Sequence, residues 1–116
     1  MSPTEFLDIF PTACSLAGLP TPSGLDGVSL ASLMDGSKKS VREFARSQYP
    51  RKNEGENLMG YAYRSERYRY VEWIQKNFYK GESKGKVVAR ELYDYKLDPE
   101  ESCMLCLSGS SEWIMD

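Results

Sequence analysis

The chain has 116 residues, room for one ordinary domain and not for a second with its own core. Apolar residues make up 41% and charged residues 28%, a globular balance with a thin core, so help from a partner chain is in keeping with it. Fifteen basic against seventeen acidic side chains leave a net charge of -2, which supplies no general field for a polyanion and argues against nucleic-acid binding.

Histidine is absent. With it go the commonest general base near neutral pH and the commonest transition-metal ligand, so any chemistry rests on carboxylates, Cys, Lys, Tyr or Arg. The cysteines, Cys14, Cys103 and Cys106, are too few and too unevenly placed for a disulfide framework, and reduced thiols are expected. Cys103-Met104-Leu105-Cys106 has half-metal-site or dithiol spacing, but only Cys14 remains as a further thiol ligand, so neither a metal nor a cofactor is expected. Met1-Ser2-Pro3-Thr4-Glu5 has no basic n-region and no apolar h-region, and no run approaches the roughly eighteen apolar residues of a spanning helix. The expectation is a chain with no membrane partner, cytoplasmic as encoded.

Two helix starts compete at the N-terminus. Ser2, Pro3 and Glu5 read as an N-cap, a first-turn proline and a capping acid, but Pro11 would then lie inside the helix and remove a donor. The pattern favours a helix from Asp8 or Ile9 to Ala17, with Pro11 in its first turn, Gly18 as its left-handed stop and Phe10, Ala13, Cys14 and Ala17 as its buried stripe. Pro20, Pro22, Gly24 and Gly27 then mark a loop, after which Ser29 caps a short helix through Leu30, Leu33 and Met34 that Gly36 ends.

From Val41 the period changes to that of strands. Arg42 to Tyr49 alternates loosely, Met59 to Arg64 is aromatic, Arg67 to Gln75 is the clearest strand, and Val87 to Tyr95 is the fourth. In the third, Tyr68, Tyr70 and Ile74 share one face and Arg69, Val71 and Trp73 the other. Arg64-Ser65-Glu66-Arg67 is the turn before it, and without Asn-Gly chemistry a longer or bulged form is expected. Residues 77–85 read as a flexible hairpin loop. Helices first and then four strands in succession predict an α+β domain: a four-stranded antiparallel sheet with the N-terminal helix and a short second helix packed on one face. Within one domain over 1–116, the helical segment and loop occupy 8–35, the sheet 41–99 and a tail 102–116.

Several runs carry a resemblance to a known family. Asp8-Ile9-Phe10-Pro11-Thr12 with Leu16-Ala17-Gly18-Leu19-Pro20 resembles the helix that ends the large domain of type I sulfatases, and Leu25-Asp26-Gly27-Val28-Ser29-Leu30 resembles the loop after it. Ser47 to Arg51, Met59-Gly60-Tyr61, Arg64, Tyr68-Arg69-Tyr70, Trp73 and Glu91 to Asp94 are similar to the C-terminal subdomain of the iduronate-2-sulfatase branch, in the family's order. The resemblance covers residues 4–101 and implies the fold above, without the N-terminal catalytic domain. The family's nucleophile arises in a Cys/Ser-x-Pro-x-Arg motif, which no cysteine or serine of this chain supplies; its calcium aspartates and catalytic histidines have no counterpart either. The resemblance therefore implies no catalytic, cofactor-binding or metal residues and no enzyme activity for the chain alone. Full-length relatives are often exported or lysosomal.

After Asp98-Pro99-Glu100-Glu101 the family continues into a helix that packs on the sheet, whereas 102–116 here is unrelated. A cover for the sheet is then missing, and a homodimer, in one form with exchanged N-terminal helices, is the expected remedy. In the relatives the C-terminal subdomain borders the active-site cleft and helps shape the sugar pocket. This makes Gln48, Tyr49, Arg51 and Lys52 candidates to face an anion or substrate. The alternative is that Tyr49-Pro50 ends a strand and Arg51 pairs with a nearby acid. Arg64, Arg67 and Arg69 among tyrosines have the pattern of a single-strand nucleic-acid surface, but the acidic net charge and the resemblance favour amphipathic sheet positions instead. Glu91 and Asp94 suggest an acid pair, against which stands an ordinary strand-edge role.

Three functional readings follow. The first is a non-catalytic sulfatase C-terminal-like domain, a truncated or mobile-gene fragment acting through self-association or protein association. The second is an anion or sulfated-sugar binding module. The third is a detached subunit that completes a sulfatase active site on another chain.

Overall fold

The computed structural model describes residues 2–53 and 55–102, so Cys103, Cys106 and most of the tail lie outside the described residues. It divides into two compact units, Met1–Ala45 and Arg46–Asp116, taken in turn below. No helix among the described residues is long and apolar enough to cross a membrane.

In the N-terminal unit a 3-10 turn, Phe6–Asp8, leads into helix α1, Ile9–Leu16. The start at Ser2 is not used. Instead Glu5 and Asp8 cap each other: the Glu5 side chain accepts the Asp8 backbone N–H, and Asp8 Oδ2 accepts the Glu5 N–H at 2.8 Å. Pro11 is the third residue of α1, where a backbone N–H would have no partner within the helix anyway. Gly18, at φ 67°, ends it: the Leu19 N–H reaches the Cys14 carbonyl at 2.9 Å and the Gly18 N–H the Ser15 carbonyl at 3.2 Å, the paired bonds of a Schellman stop.

The buried side of α1 differs from the expected stripe. Pro11, Thr12 and Cys14 are buried together with Asp8 before the helix, while Phe10 is 55% exposed and Ala13 and Ala17 face outward. The cause is polar. The loop after α1 folds back and delivers its backbone donors to this side: the Val28 N–H to Asp8 Oδ1 at 2.9 Å and the Leu30 N–H to Thr12 Oγ1 at 2.9 Å. Thr12 in turn donates to the Asp8 carbonyl at 2.5 Å. Gly27 permits this approach, because a Cβ there would lie 2.0 Å from the Leu7 carbonyl oxygen. Helix α2, Ala31–Met34, follows, with Ser29 Oγ accepting the Ala31 N–H at 3.3 Å and Gly36, at φ 75°, beyond its end.

The second unit is a four-stranded antiparallel sheet in sequence order: β1, Phe44–Asn53; β2, Glu56–Ser65; β3, Tyr68–Gln75; and β4, Lys86–Asp94. Together with the two helices it makes the expected α+β architecture. β1 runs straight through Pro50, so Gln48 to Lys52 is strand and not a corner that ends one. Proline is tolerated because β1 is an edge strand, where one row of backbone positions has no neighbour to receive a donor.

Between β2 and β3 only Glu66 and Arg67 connect the strands, a tighter connection than expected, and neither has positive φ. Ser65 substitutes for the missing Asn-Gly chemistry: its hydroxyl accepts the Tyr68 N–H at 2.9 Å and donates to the Tyr68 carbonyl at 3.2 Å. The β3–β4 connection contains an unexpected 3-10 turn, Phe78–Lys80, in which Asn77 Oδ1 accepts the Lys80 N–H and Gly81, at φ 73°, reverses the chain. Between β3 and β4 the register slips by one residue, from Trp73 opposite Ala89 to Ile74 opposite Val87, so Val88 is a bulge. Leu58, Met59 and Val71 are the buried apolar side chains of this unit among the described residues, a core as thin as the composition implied.

Candidate functional site

The period of two along each strand divides the sheet into unlike faces. Gly60, Ala62, Arg69, Val71, Trp73 and Glu91 lie on one face, with Ser47 and Tyr49 from β1. Together they line a shallow hollow of about 250 Å³. Gly60 and Trp73 are register partners, and the indole lies over the glycine so closely that a Cβ there would be 2.7 Å from the ring. The absence of a side chain at Gly60 thus leaves room for the Trp73 ring.

Glu91 is the centre of the polar contacts on this face. The Trp73 indole donates to its Oε1 at 2.6 Å and the Tyr93 hydroxyl to its Oε2 at 3.1 Å, one bond to each oxygen. Burial, followed by the adjacent Glu91 charge and hydrogen bond, pushes the Tyr93 phenol above its ordinary pKa. Arg69 lies over the Tyr93 ring with its guanidinium carbon 4.6 Å from the centroid, and pairs with Glu101 at 2.5 Å. Arg51 lies over Trp73 at 5.8 Å.

The opposite face is built from Tyr70, Glu72, Arg90 and Asp94. Glu72 Oε1 accepts from the Tyr70 hydroxyl at 2.7 Å and from Arg90 Nε at 3.0 Å, and these bonds, Tyr70 first, lower its pKa. Asp94 is held by both Arg67 Nε at 2.9 Å and Arg67 Nη2 at 2.6 Å, and its Oδ1 also accepts the Lys96 N–H at 3.0 Å. The Arg67 bonds, against some desolvation, hold its carboxyl below the usual range. Glu91 and Asp94 are therefore on opposite faces with separate partners and form no acid pair.

The four candidates of the Gln48–Lys52 run are split by the same alternation. Tyr49 and Arg51 face Trp73, whereas Gln48 and Lys52 are on the other side, where Lys52 Nζ lies 5.9 Å from the Tyr79 ring. Neither Arg51 nor Lys52 makes an ion pair with a described residue. Sequence reasoning missed Ser47, which the two-residue period from Tyr49 and Arg51 signals, and it missed Gly60 as the seat of Trp73. Arg64, Arg67 and Arg69, the interleaved arginines, stack on the protein's own Tyr95, Tyr68 and Tyr93 at 3.4, 4.8 and 4.6 Å.

A second surface lies on the N-terminal unit. Phe6, Leu7, Ile9, Phe10, Leu16 and Leu19 are all exposed, Phe6 to 90%. Six large apolar side chains within fourteen positions is more than scattered exposure explains. Behind them Asp8, with no exposed surface, is held by the Glu5 and Val28 N–H groups and by Arg42, which also pairs with Glu5 at 3.0 Å.

No family model matches the chain. A Δ4,5-hexuronate-2-O-sulfatase from Bacteroides thetaiotaomicron is 35% identical over 96 residues, which are 82% of this chain and 18% of that protein. The solved structure of a 2-O GAG sulfatase superposes with a TM-score of 0.64 at 32% identity, covering 87% of this chain and 20% of the other. A candidate sulfatase from Bacteroides thetaiotaomicron VPI-5482 gives 0.58 at 32% identity over 79% of this chain and 18% of its own. The chain thus spans about a fifth of the length of these relatives. With a sheet and helices that match theirs at this identity, the chain is a C-terminal sulfatase-like subdomain.

Proposed function

We propose that the chain is a non-catalytic sulfatase subdomain that works by protein association, and that its N-terminal unit docks on a sulfatase catalytic domain. The exposed row from Phe6 to Leu19 carries this reading. An apolar surface of that extent is stabilised by being covered, and the corresponding segment of the relatives belongs to proteins about five times as long. The occupant in keeping with that length is the remaining sulfatase fold, on whichever chain it is supplied. The absence of histidine fits a supporting role in which the chemistry is done elsewhere.

A homodimer, with or without exchanged N-terminal helices, is the competing occupant of the same surface. The two are separated by mixing the purified chain with the Bacteroides 2-O-sulfatase from which the matching segment has been deleted, and measuring mass by light scattering. Docking gives a one-to-one complex; a stable dimer that ignores the sulfatase rejects it in favour of self-association.

A further inference from the structure

The sheet has two edges, and they are unlike. β4 is interrupted by the Val88 bulge, and its charges, Lys86, Arg90, Glu91 and Asp94, balance within the strand. A bulge at an edge works against further pairing. β1 runs for ten residues with β2 on one side and, among the described residues, no strand on the other, and residues 46–52 are all exposed. Its charge is of one sign: Arg46, Arg51 and Lys52 are basic, and no acid lies from Phe44 to Asn53. Pro50 is its one residue without a backbone donor.

We propose that the outer edge of β1 takes up an extended acidic segment of a partner polypeptide as a fifth strand. Backbone groups along such an edge supply the affinity of strand addition, and the alternate side chains supply its selectivity. The two-residue period gives β1 two different sides to offer. Arg46 and Lys52 fall on one, where carboxylates at alternate positions of the added strand meet them across the ladder. On the other is Tyr49, 69% exposed, whose ring takes a β-branched neighbour at the intervening positions. Charge decides the occupant. A second copy of β1 would set three basic side chains beside three others, a pairing that like charges disfavour, whereas an acidic strand is complementary along the whole edge. The site belongs to the sheet unit and does not depend on the docking proposed for the Phe6–Leu19 row.

The test is a titration of the ¹⁵N-labelled chain with the end-capped peptide Glu-Val-Glu-Thr-Glu-Val-Glu-Thr, followed by NMR. Saturable shifts are expected at the β1 amides, with slowed hydrogen exchange at alternate ones, as a new ladder on one side of the strand requires. The same peptide with lysine for glutamate should bind at least about tenfold more weakly. So should the glutamate peptide N-methylated at two adjacent central residues, which keeps its charge but blocks either of its edges. Lys52→Glu lowers the affinity about fivefold or more, whereas Lys96→Glu, an equal change in net charge beyond the end of β4, leaves it unchanged. Both positions are exposed, and an unchanged spectrum elsewhere in the sheet shows that the variants fold. The proposal is overturned by no saturable binding up to millimolar peptide, by equal binding of the lysine or the N-methylated peptide, or by binding indifferent to Lys52→Glu. It is also overturned if raising the concentration of the chain alone slows exchange at the β1 amides, since the edge then belongs to a second copy.

Discussion

Asp8 and Arg42, 34 positions apart, form the ion pair that closes the N-terminal unit. Asp8 has no exposed surface, and besides the guanidinium it receives the Glu5 and Val28 N–H groups, so one carboxylate ties the start of α1, the Gly27–Val28 loop and the approach to β1 together. Arg42→Ala leaves that carboxylate buried without its charge partner. The expected cost is about 3 kcal/mol, the penalty typical of breaking a buried pair from one side. Urea unfolding checks it, and a loss below about 1 kcal/mol contradicts the role given to the pair.

Acid sensitivity follows from the same group. Burial raises the Asp8 pKa, but the Val28 and Glu5 N–H groups and Arg42 outweigh it, so the folded value lies below the ordinary 3.8. Asp94, held first by Arg67, is likewise lowered from 3.8. A carboxyl whose pKa is depressed by folding contributes its full stability above the unfolded value and loses it as pH falls through the folded value. Stability is therefore expected to be level with respect to these groups from neutrality to about pH 5, and to fall below about pH 4. Chemical denaturation across that range measures it. In Asp8→Asn the acid-dependent fall should be shallower.

Gly60 is predicted to tolerate no side chain. A Cβ would stand 2.7 Å from the Trp73 ring, so Gly60→Ala must lift the indole and strain its 2.6 Å bond to Glu91. A destabilisation of about 1–3 kcal/mol is expected, as for other overpacked sites. A changed near-ultraviolet circular dichroism spectrum should accompany it, which an effect on the backbone alone would not produce.

Much of the fold was legible because its signals are local. The α1 helix, its Gly18 stop and the β3 strand follow from caps, a left-handed residue and an aromatic period of two. What escaped depends on partners distant in the chain. The face of α1 that is buried was misread because Asp8 and Thr12 are inside on account of the Val28 and Leu30 N–H groups, which no helical periodicity reveals. β1 passes Pro50 because it lies at a sheet edge, a fact of topology. The candidate site was half legible: Tyr49 and Arg51 do share a face, but grouping them with Gln48 and Lys52 required a corner, and a continuing strand divides such a run residue by residue.

The central claim is that the exposed row on the N-terminal unit is a docking surface for a sulfatase catalytic domain. Phe10, exposed and uninvolved in the Asp8 contacts, is the position at which to test it. In the mixing experiment with the segment-deleted 2-O-sulfatase, light scattering should show a one-to-one complex for the unsubstituted chain, weakened at least tenfold by Phe10→Asp with the folded spectrum of the chain intact. No complex at micromolar concentrations of both proteins, or a complex indifferent to Phe10→Asp, would contradict it.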